Sequence, residues 1–342
     1  MKAARIHSYG GHEVLRYEDA PDPSPKANEV LIRVRACAIN HLDIWVRKGI
    51  PGLRLALPHV LGTDAAGEVV ATGSLCERVK VGQRILIAPG WSCRQCLACV
   101  SGRDNECRRY GVMGAAMPGT NCELMAVPEY AVIPIPEDLT FEEAAAVPLV
   151  FLTAWHMLFS KARLQPGEHV LVLGASSGVG SAAIQLAKLF HCRVIATAGG
   201  DEKLAKARAL GADDVIDHYA QDIAAEVKRI TARRGVDVVF EHVGAATWSK
   251  SVESLAPDGR LVTCGATTGY DAKVDLRFLF SRRLSLLGSY MGTLGDLHRV
   301  LQFIFRKQIH PVIDCAYPLA EIAAAHERIE RKEQFGKVLL IP

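Results

Sequence analysis

The chain has 342 residues, of which 49% are hydrophobic and 23% charged, and its formal net charge is +3. That length is more than one hydrophobic core usually serves, so two domains are expected. The near-neutral balance offers no basic surface for nucleic acid or an acidic membrane. The longest apolar stretch, Ala144 to Trp155, is too short to span a bilayer and contains Pro148.

Met1 to His7 alternates like a strand and lacks the apolar segment of a signal peptide. A cytoplasmic location is therefore expected, and in that reducing compartment ten cysteines point to thiols and a metal site rather than disulfides. Val30 to Ala36 alternates, Gly67 to Gly73 is bounded by glycines, and Arg84 to Ala88 follows a turn. Short strands punctuated by Gly and Pro predict an antiparallel, barrel-like domain.

Cys93-x2-Cys96-x2-Cys99-x7-Cys107 follows, between Gly90 and Arg109. Four soft thiolates at this spacing make a closed tetrahedral site for one structural Zn²⁺ per chain. Arg94, Arg103, Arg108 and Arg109 lower the cost of holding the thiolates. The rival is an iron–sulfur cluster, whose common spacing has three residues before the last Cys and Pro after it; here Arg108 follows. Cys37, Cys76, Cys122, Cys192, Cys264 and Cys315 are scattered and read as small core residues.

Near residue 145 the texture changes. Strands at His169 to Leu173, Arg193 to Thr197, Asp214 to Asp217, Val236 to Phe240 and Arg260 to Thr263 alternate with helical stretches. This is the pattern of βαβ units on a parallel sheet. Leu284 to Leu287 is a last apolar strand, the helices Leu294 to Arg306 and Leu319 to Arg331 come next, and Lys337 to Ile341 closes the chain as a strand. The segmentation predicts one domain from 1–145 and 289–342 and another from 146–288.

The first of these parallel strands runs into Gly174-Ala175-Ser176-Ser177-Gly178-Val179-Gly180. Gly174 permits a tight turn, and Gly178 and Gly180 let backbone approach a pyrophosphate and helix pack on strand. The helix N-terminus offers N–H groups and partial positive charge to phosphate, with Ser176 and Ser177 as further donors. A dinucleotide cofactor is expected. The next strand ends in Thr197-Ala198-Gly199-Gly200-Asp201-Glu202-Lys203, with no acid at its end for a ribose 2′-OH. Gly200 and Lys203 suit a 2′-phosphate, so NADP(H) is favoured over NAD(H); Asp201, three residues late, argues the other way.

Together these segments resemble the medium-chain dehydrogenase/reductase superfamily over essentially the whole chain. Further supporting stretches are Ala36 to Asp43, Leu57 to Gly67, Leu152 to Trp155 and Phe335-Gly336-Lys337-Val338. The resemblance implies a GroES-like antiparallel β-barrel domain plus a doubly wound Rossmann domain, acting on a small-molecule substrate as a homodimer or homotetramer. It implies Thr153, Tyr219, Gly265 and Lys337 at the cofactor. Zinc alcohol dehydrogenases of this superfamily hold a catalytic metal through Cys and His, yet here Asn40, Thr63 and Leu149 stand at those positions, Asp64 replaces a Glu, and Leu42 replaces a relay hydroxyl. Asn40 with Asp43 is similar to the quinone-oxidoreductase and enoyl-reductase branches, which work without that metal. Asn40 and Thr63 are thus the candidate catalytic residues, and Asp43 is expected to pair with an arginine. His41 is expected near the cofactor or at the surface. Hydride transfer from NADPH to a quinone or α,β-unsaturated carbonyl is the expected reaction. The alternatives are an alcohol dehydrogenase with atypical metal ligands and a non-catalytic NADPH-binding or structural protein.

Overall fold

The computed structural model describes all 342 residues. They fall into two units, Met1–Leu149 with Thr293–Phe305 and His310–Pro342, and Val150–Gly292 with Arg306–Ile309.

In the first unit the long strand Glu29–Ile39 is the spine, with alternate residues buried over most of its length. It pairs antiparallel with Asp64–Thr72, Leu124–Pro128 and Lys337–Ile341. Arg84–Ile87 and Val132–Pro134 extend this seven-stranded sheet on one side, and Ile313–Pro318 closes the other. A three-stranded sheet of Leu15–Asp19, Lys2–Ile6 and His59–Val60 adds a second layer. Ile6, Ile32, Ile44, Leu61, Ile85 and Met113 fill the core. Leu15–Asp19, His59–Val60, Leu124–Pro128, Val132–Pro134 and Ile313–Pro318 are strands that the sequence reading does not mark; Ile313–Pro318 is only partly buried and pairs parallel to Lys337–Ile341, so its sequence carries no clean alternation.

In the second unit six strands form one sheet in the order Asp214–Asp217, Arg193–Ala198, His169–Val172, Val236–Glu241, Leu255–Thr263 and Ser285–Gly288. Every neighbouring pair is parallel. The inner strands His169–Val172, Arg193–Ala198 and Val236–Glu241 are buried on both faces over most of their length, which explains their largely apolar sequences. The chain starts at His169–Val172, winds outward one way, and then returns to Val236–Glu241 to wind the other way. The order of strands therefore reverses between those two, which is where such sheets bind ligands at their carboxyl ends. The helix Pro148–Trp155, which runs across the boundary between the units, opens on a proline, whose missing N–H costs nothing in a first turn.

Candidate active site and zinc centre

At the strand-to-helix turn after His169–Val172, Gly174 adopts φ +62°. Its N–H donates to Thr197 Oγ1 (3.0 Å), and Ala175 N–H donates to the Thr197 carbonyl (2.8 Å). Thr197, on the neighbouring strand, thus pins the turn; nothing in the turn's own sequence marked it. Ser177 caps the helix Gly178–Leu189: its Oγ accepts from Gly180 N–H (2.9 Å) and donates to Gly174 O (2.8 Å). That hydroxyl, expected to serve a ligand, is instead engaged within the turn. A Cβ on Gly180 would lie 2.3 Å from Gly174 O, so only glycine permits this close packing. Ser176 stays half-buried, and the amides of Gly178 and Val179 have no partner within the helix. The cradle fits the pyrophosphate of a nicotinamide dinucleotide.

At the end of Arg193–Ala198, Gly200 caps the helix Asp201–Ala209 with φ +81°, and a Cβ on it would meet nothing within 4 Å. Tyr219 lies against Gly199, where a Cβ would come 2.2 Å from its ring. Lys203 lies in the first turn of that helix. Gly200, Lys203 and Tyr219 thus gather at one strand end. Gly265 follows Leu255–Thr263, its carbonyl accepting from Thr263 Oγ1 (3.1 Å), and Thr153 is buried in the helix Pro148–Trp155.

Asn40, Thr63 and Lys337 gather in the other unit. Asn40 ends the Glu29–Ile39 strand and caps the helix His41–Lys48, its N–H donating to Asp43 Oδ2 (2.7 Å). Its Nδ2 donates to Asp64 Oδ2 (2.9 Å), and its Oδ1 accepts from Lys337 Nζ (2.6 Å). Lys337 Nζ also meets Asp64 Oδ2 at 3.0 Å. An ammonium only donates and a carboxylate only accepts, so these partners fix the amide's orientation. The other Asp64 oxygen accepts from the Leu149 N–H (2.9 Å). All these side chains are buried. Lys337, expected at the cofactor, has its ammonium in this cluster.

The partners of Asp43 differ from the expected arginine. They are the Asn40 N–H and Thr63 Oγ1 (3.2 Å), because the helix cap turns Asp43 inward. Burial raises its pKa to about 6, against the opposing effects of the Asn40 N–H and the Lys337 charge. Thr63 Oγ1 also lies 3.2 Å from the Met113 carbonyl. One hydroxyl proton cannot serve two acceptors fully, but a protonated Asp43 can donate to Thr63, which then donates to Met113. His41 is exposed and stacks edge-on against Trp45, with centroids 5.0 Å apart.

The four expected zinc ligands do come together. Sγ of Cys93, Cys96, Cys99 and Cys107 all lie within 4.8 Å of one another. Neighbouring pairs are 3.5 to 3.8 Å apart, against about 3.8 Å for the edge of a tetrahedron with Zn–S bonds near 2.3 Å. The donor set therefore fits zinc and fills its shell. Arg94 takes φ +61° between the first two cysteines and sets its guanidinium 5.0 Å from the Tyr130 ring; Arg109 does the same over Trp91 at 5.4 Å. Asp104, inside the lobe, accepts from Leu294 N–H through both oxygens (3.1 and 3.2 Å), capping the helix Leu294–Phe305.

Residues 26–137 match the family model of the alcohol dehydrogenase GroES-like domain, and residues 178–306 match that of the zinc-binding dehydrogenase. The quinone oxidoreductase of Pseudomonas aeruginosa is 33% identical over 354 residues, covering 100% of this chain and 99% of the relative. The quinone oxidoreductase of Homo sapiens is 28% identical, with 100% and 98% covered. Among solved structures, an NAD-dependent alcohol dehydrogenase superposes with a TM-score of 0.97 at 44% identity, with 100% of both chains covered. A thermostable alcohol dehydrogenase from Pyrobaculum aerophilum, with cobalt and zinc bound, gives 0.91 at 32% identity, covering 100% and 99%.

Proposed function

The chain belongs to the medium-chain dehydrogenase/reductase superfamily as an NAD(P)-dependent oxidoreductase, and on that premise we propose that it reduces a quinone or an α,β-unsaturated carbonyl with NADPH and without a catalytic metal. The observation that carries this reading is the Asn40–Asp64–Lys337 cluster. Where zinc alcohol dehydrogenases use Cys and His, this site presents an amide, a hydroxyl and a leucine. Its one carboxylate at those positions is already paired with an ammonium at 3.0 Å. A divalent cation would have to displace that ammonium and would find no thiolate or imidazole beside it.

When bound, the coenzyme supplies the hydride. Asn40 has a second Nδ2 hydrogen, which donates to the substrate oxygen. Lys337, bonded to Oδ1, draws electron density through the amide and strengthens that donor. Asp64 holds the amide in place from the other side. Conjugation in a quinone or enone spreads the developing negative charge onto oxygen, so polarised N–H donors suffice. Solvent supplies the proton. The preference for NADPH rests on Gly199 and Gly200 at the strand end and on Lys203 in the following turn. Expected surroundings are the cytoplasm and a homodimer or homotetramer; no helix is long and apolar enough to cross a membrane.

A second reading is alcohol oxidation with NAD⁺, favoured by the 44% identical NAD-dependent alcohol dehydrogenase and by Asp201 near the strand end. Steady-state assays of quinones and enones with NADPH or NADH, beside alcohols with NAD⁺ or NADP⁺, separate the two. Enone or quinone turnover with NADPH is expected to dominate; dominant alcohol turnover with NAD⁺ would replace the first reading by the second.

A further inference from the structure

The carboxyl end of Val236–Glu241 faces the point where the sheet reverses direction, and the mechanism above leaves it unused. Glu241 is fully buried there. Its carboxylate accepts from Val243 N–H (2.6 Å), Gly244 N–H (3.1 Å), Thr247 Oγ1 (2.9 Å) and Ser251 Oγ (2.6 Å). Four donors on one carboxylate fix the turn that follows the strand, and with it the residue between them, His242.

His242 Nε2 lies 2.8 Å from the Leu173 carbonyl and 3.4 Å from Ser177 Oγ. Its ring stands 3.1 Å from where a Gly174 Cβ would be. The imidazole is therefore seated on the dinucleotide turn itself. A carbonyl can only accept, so Nε2 carries the proton and Nδ1 carries a lone pair. The protein offers Nδ1 no partner. Burial moves the pKa of this histidine below its ordinary value and keeps it neutral near pH 7.

Two physical constraints select the ligand group. A lone pair repels a phosphate oxygen and welcomes a hydroxyl. In a doubly wound sheet each half serves one mononucleotide, and Val236–Glu241 opens the second half, opposite the one that begins with the glycine turn. We propose that His242 Nδ1 accepts a hydrogen bond from a hydroxyl of the ribose on the nicotinamide side of the bound dinucleotide, making His242 a cofactor-positioning residue. The proposal rests on the dinucleotide reading of this unit, but not on NADPH over NADH or on the substrate.

The test compares ADP, which lacks that ribose, with ADP-ribose, which has it, by titration calorimetry. His242→Phe keeps a ring of similar size and removes the acceptor. Losing one neutral hydrogen bond is expected to weaken ADP-ribose about 5- to 10-fold and to leave ADP within about 2-fold. Equal weakening of both would mean that His242 merely shapes the turn, and no change in either would mean that it contacts no ligand; each overturns the proposal. Wild-type protein binding neither probe would overturn it together with the cofactor reading, whereas an alcohol-dehydrogenase outcome in the assays above would leave it standing. A second measurement needs no variant. In the wild-type protein with ¹⁵N-labelled histidine, the Nδ1 resonance of His242 should move with ADP-ribose and stay with ADP. A resonance that responds to both or to neither overturns the assignment.

Discussion

Asn40 gives one end of its amide to a carboxylate and the other to an ammonium, so its side chain has no freedom to rotate. Truncating it leaves Asp64 and Lys337 paired, and Asn40→Ala should therefore fold, keep its zinc and lose rate. A drop in turnover of about 10- to 1000-fold is expected if the amide supports developing charge. Full activity at unchanged melting temperature would remove Asn40 from the chemistry. Asp43 makes a different prediction. The folded protein holds its proton up to about pH 6, while the unfolded chain releases it near 3.8. Its contribution to stability is thus fullest below pH 3.8 and is lost as pH rises through 6, by roughly 3 kcal/mol at the upper end. Asp43→Asn, neutral throughout, should flatten that stretch of the stability curve; an unchanged slope between pH 4 and 6 in urea melts would show that Asp43 does not titrate there. Asn40 and Thr63 were legible as candidates because they stand at positions where the resemblance places metal ligands, and Asp64 was noted only as replacing a Glu. Their link to Lys337 was not, because the pair Asn40 and Lys337 is 297 residues apart and only the sheet brings it together.

The glycine turn was the most legible element, since a strand, a turn of small residues and a helix each leave their own local pattern. Its supports were less visible: Thr197 and His242 reach it from neighbouring strands, and strand order is not written locally. Lys203, in the first turn of the helix Asp201–Ala209, is the residue on which the proposed preference for NADPH rests. Lys203→Glu should weaken NADPH far more than NADH, because the reversed charge acts on the 2′-phosphate. Equal loss for both coenzymes would separate Lys203 from that phosphate. In the cysteine lobe four residues within one short segment announced themselves, but Asp104 did not, although it ties the lobe to the helix Leu294–Phe305. Cys96→Ser should weaken zinc binding and loosen the lobe, because metal affinity and local folding are one equilibrium. A lower melting temperature is expected, with the surviving folded fraction retaining much of its turnover per active site. A stable but inactive Cys96→Ser protein would give the metal a catalytic part.

At the scale of the molecule only one complete set of zinc ligands is assigned, so metal analysis should return about one zinc per chain. Two zincs, with activity lost on removing one, would end the metal-independent mechanism. Ser285–Gly288 is the outer strand of its sheet, and Phe280 and Leu276 nearby are 72% and 67% exposed. An unpaired edge beside apolar side chains is where a second copy would join, sheet to sheet. Light scattering at micromolar concentration should therefore report a dimer or tetramer, and a monomer would refute it. The placement of Lys337 also bears on how the protein is made. Its strand slots between Glu29–Ile39 and Ile313–Pro318, and Lys337 is synthesised 273 residues after Asp64. Until then the Asp64 carboxylate has no counter-charge to bury against, and the spine strand has an open side. The sheet begun by the N-terminal segment is therefore completed only by residues that follow the whole dinucleotide unit in the chain.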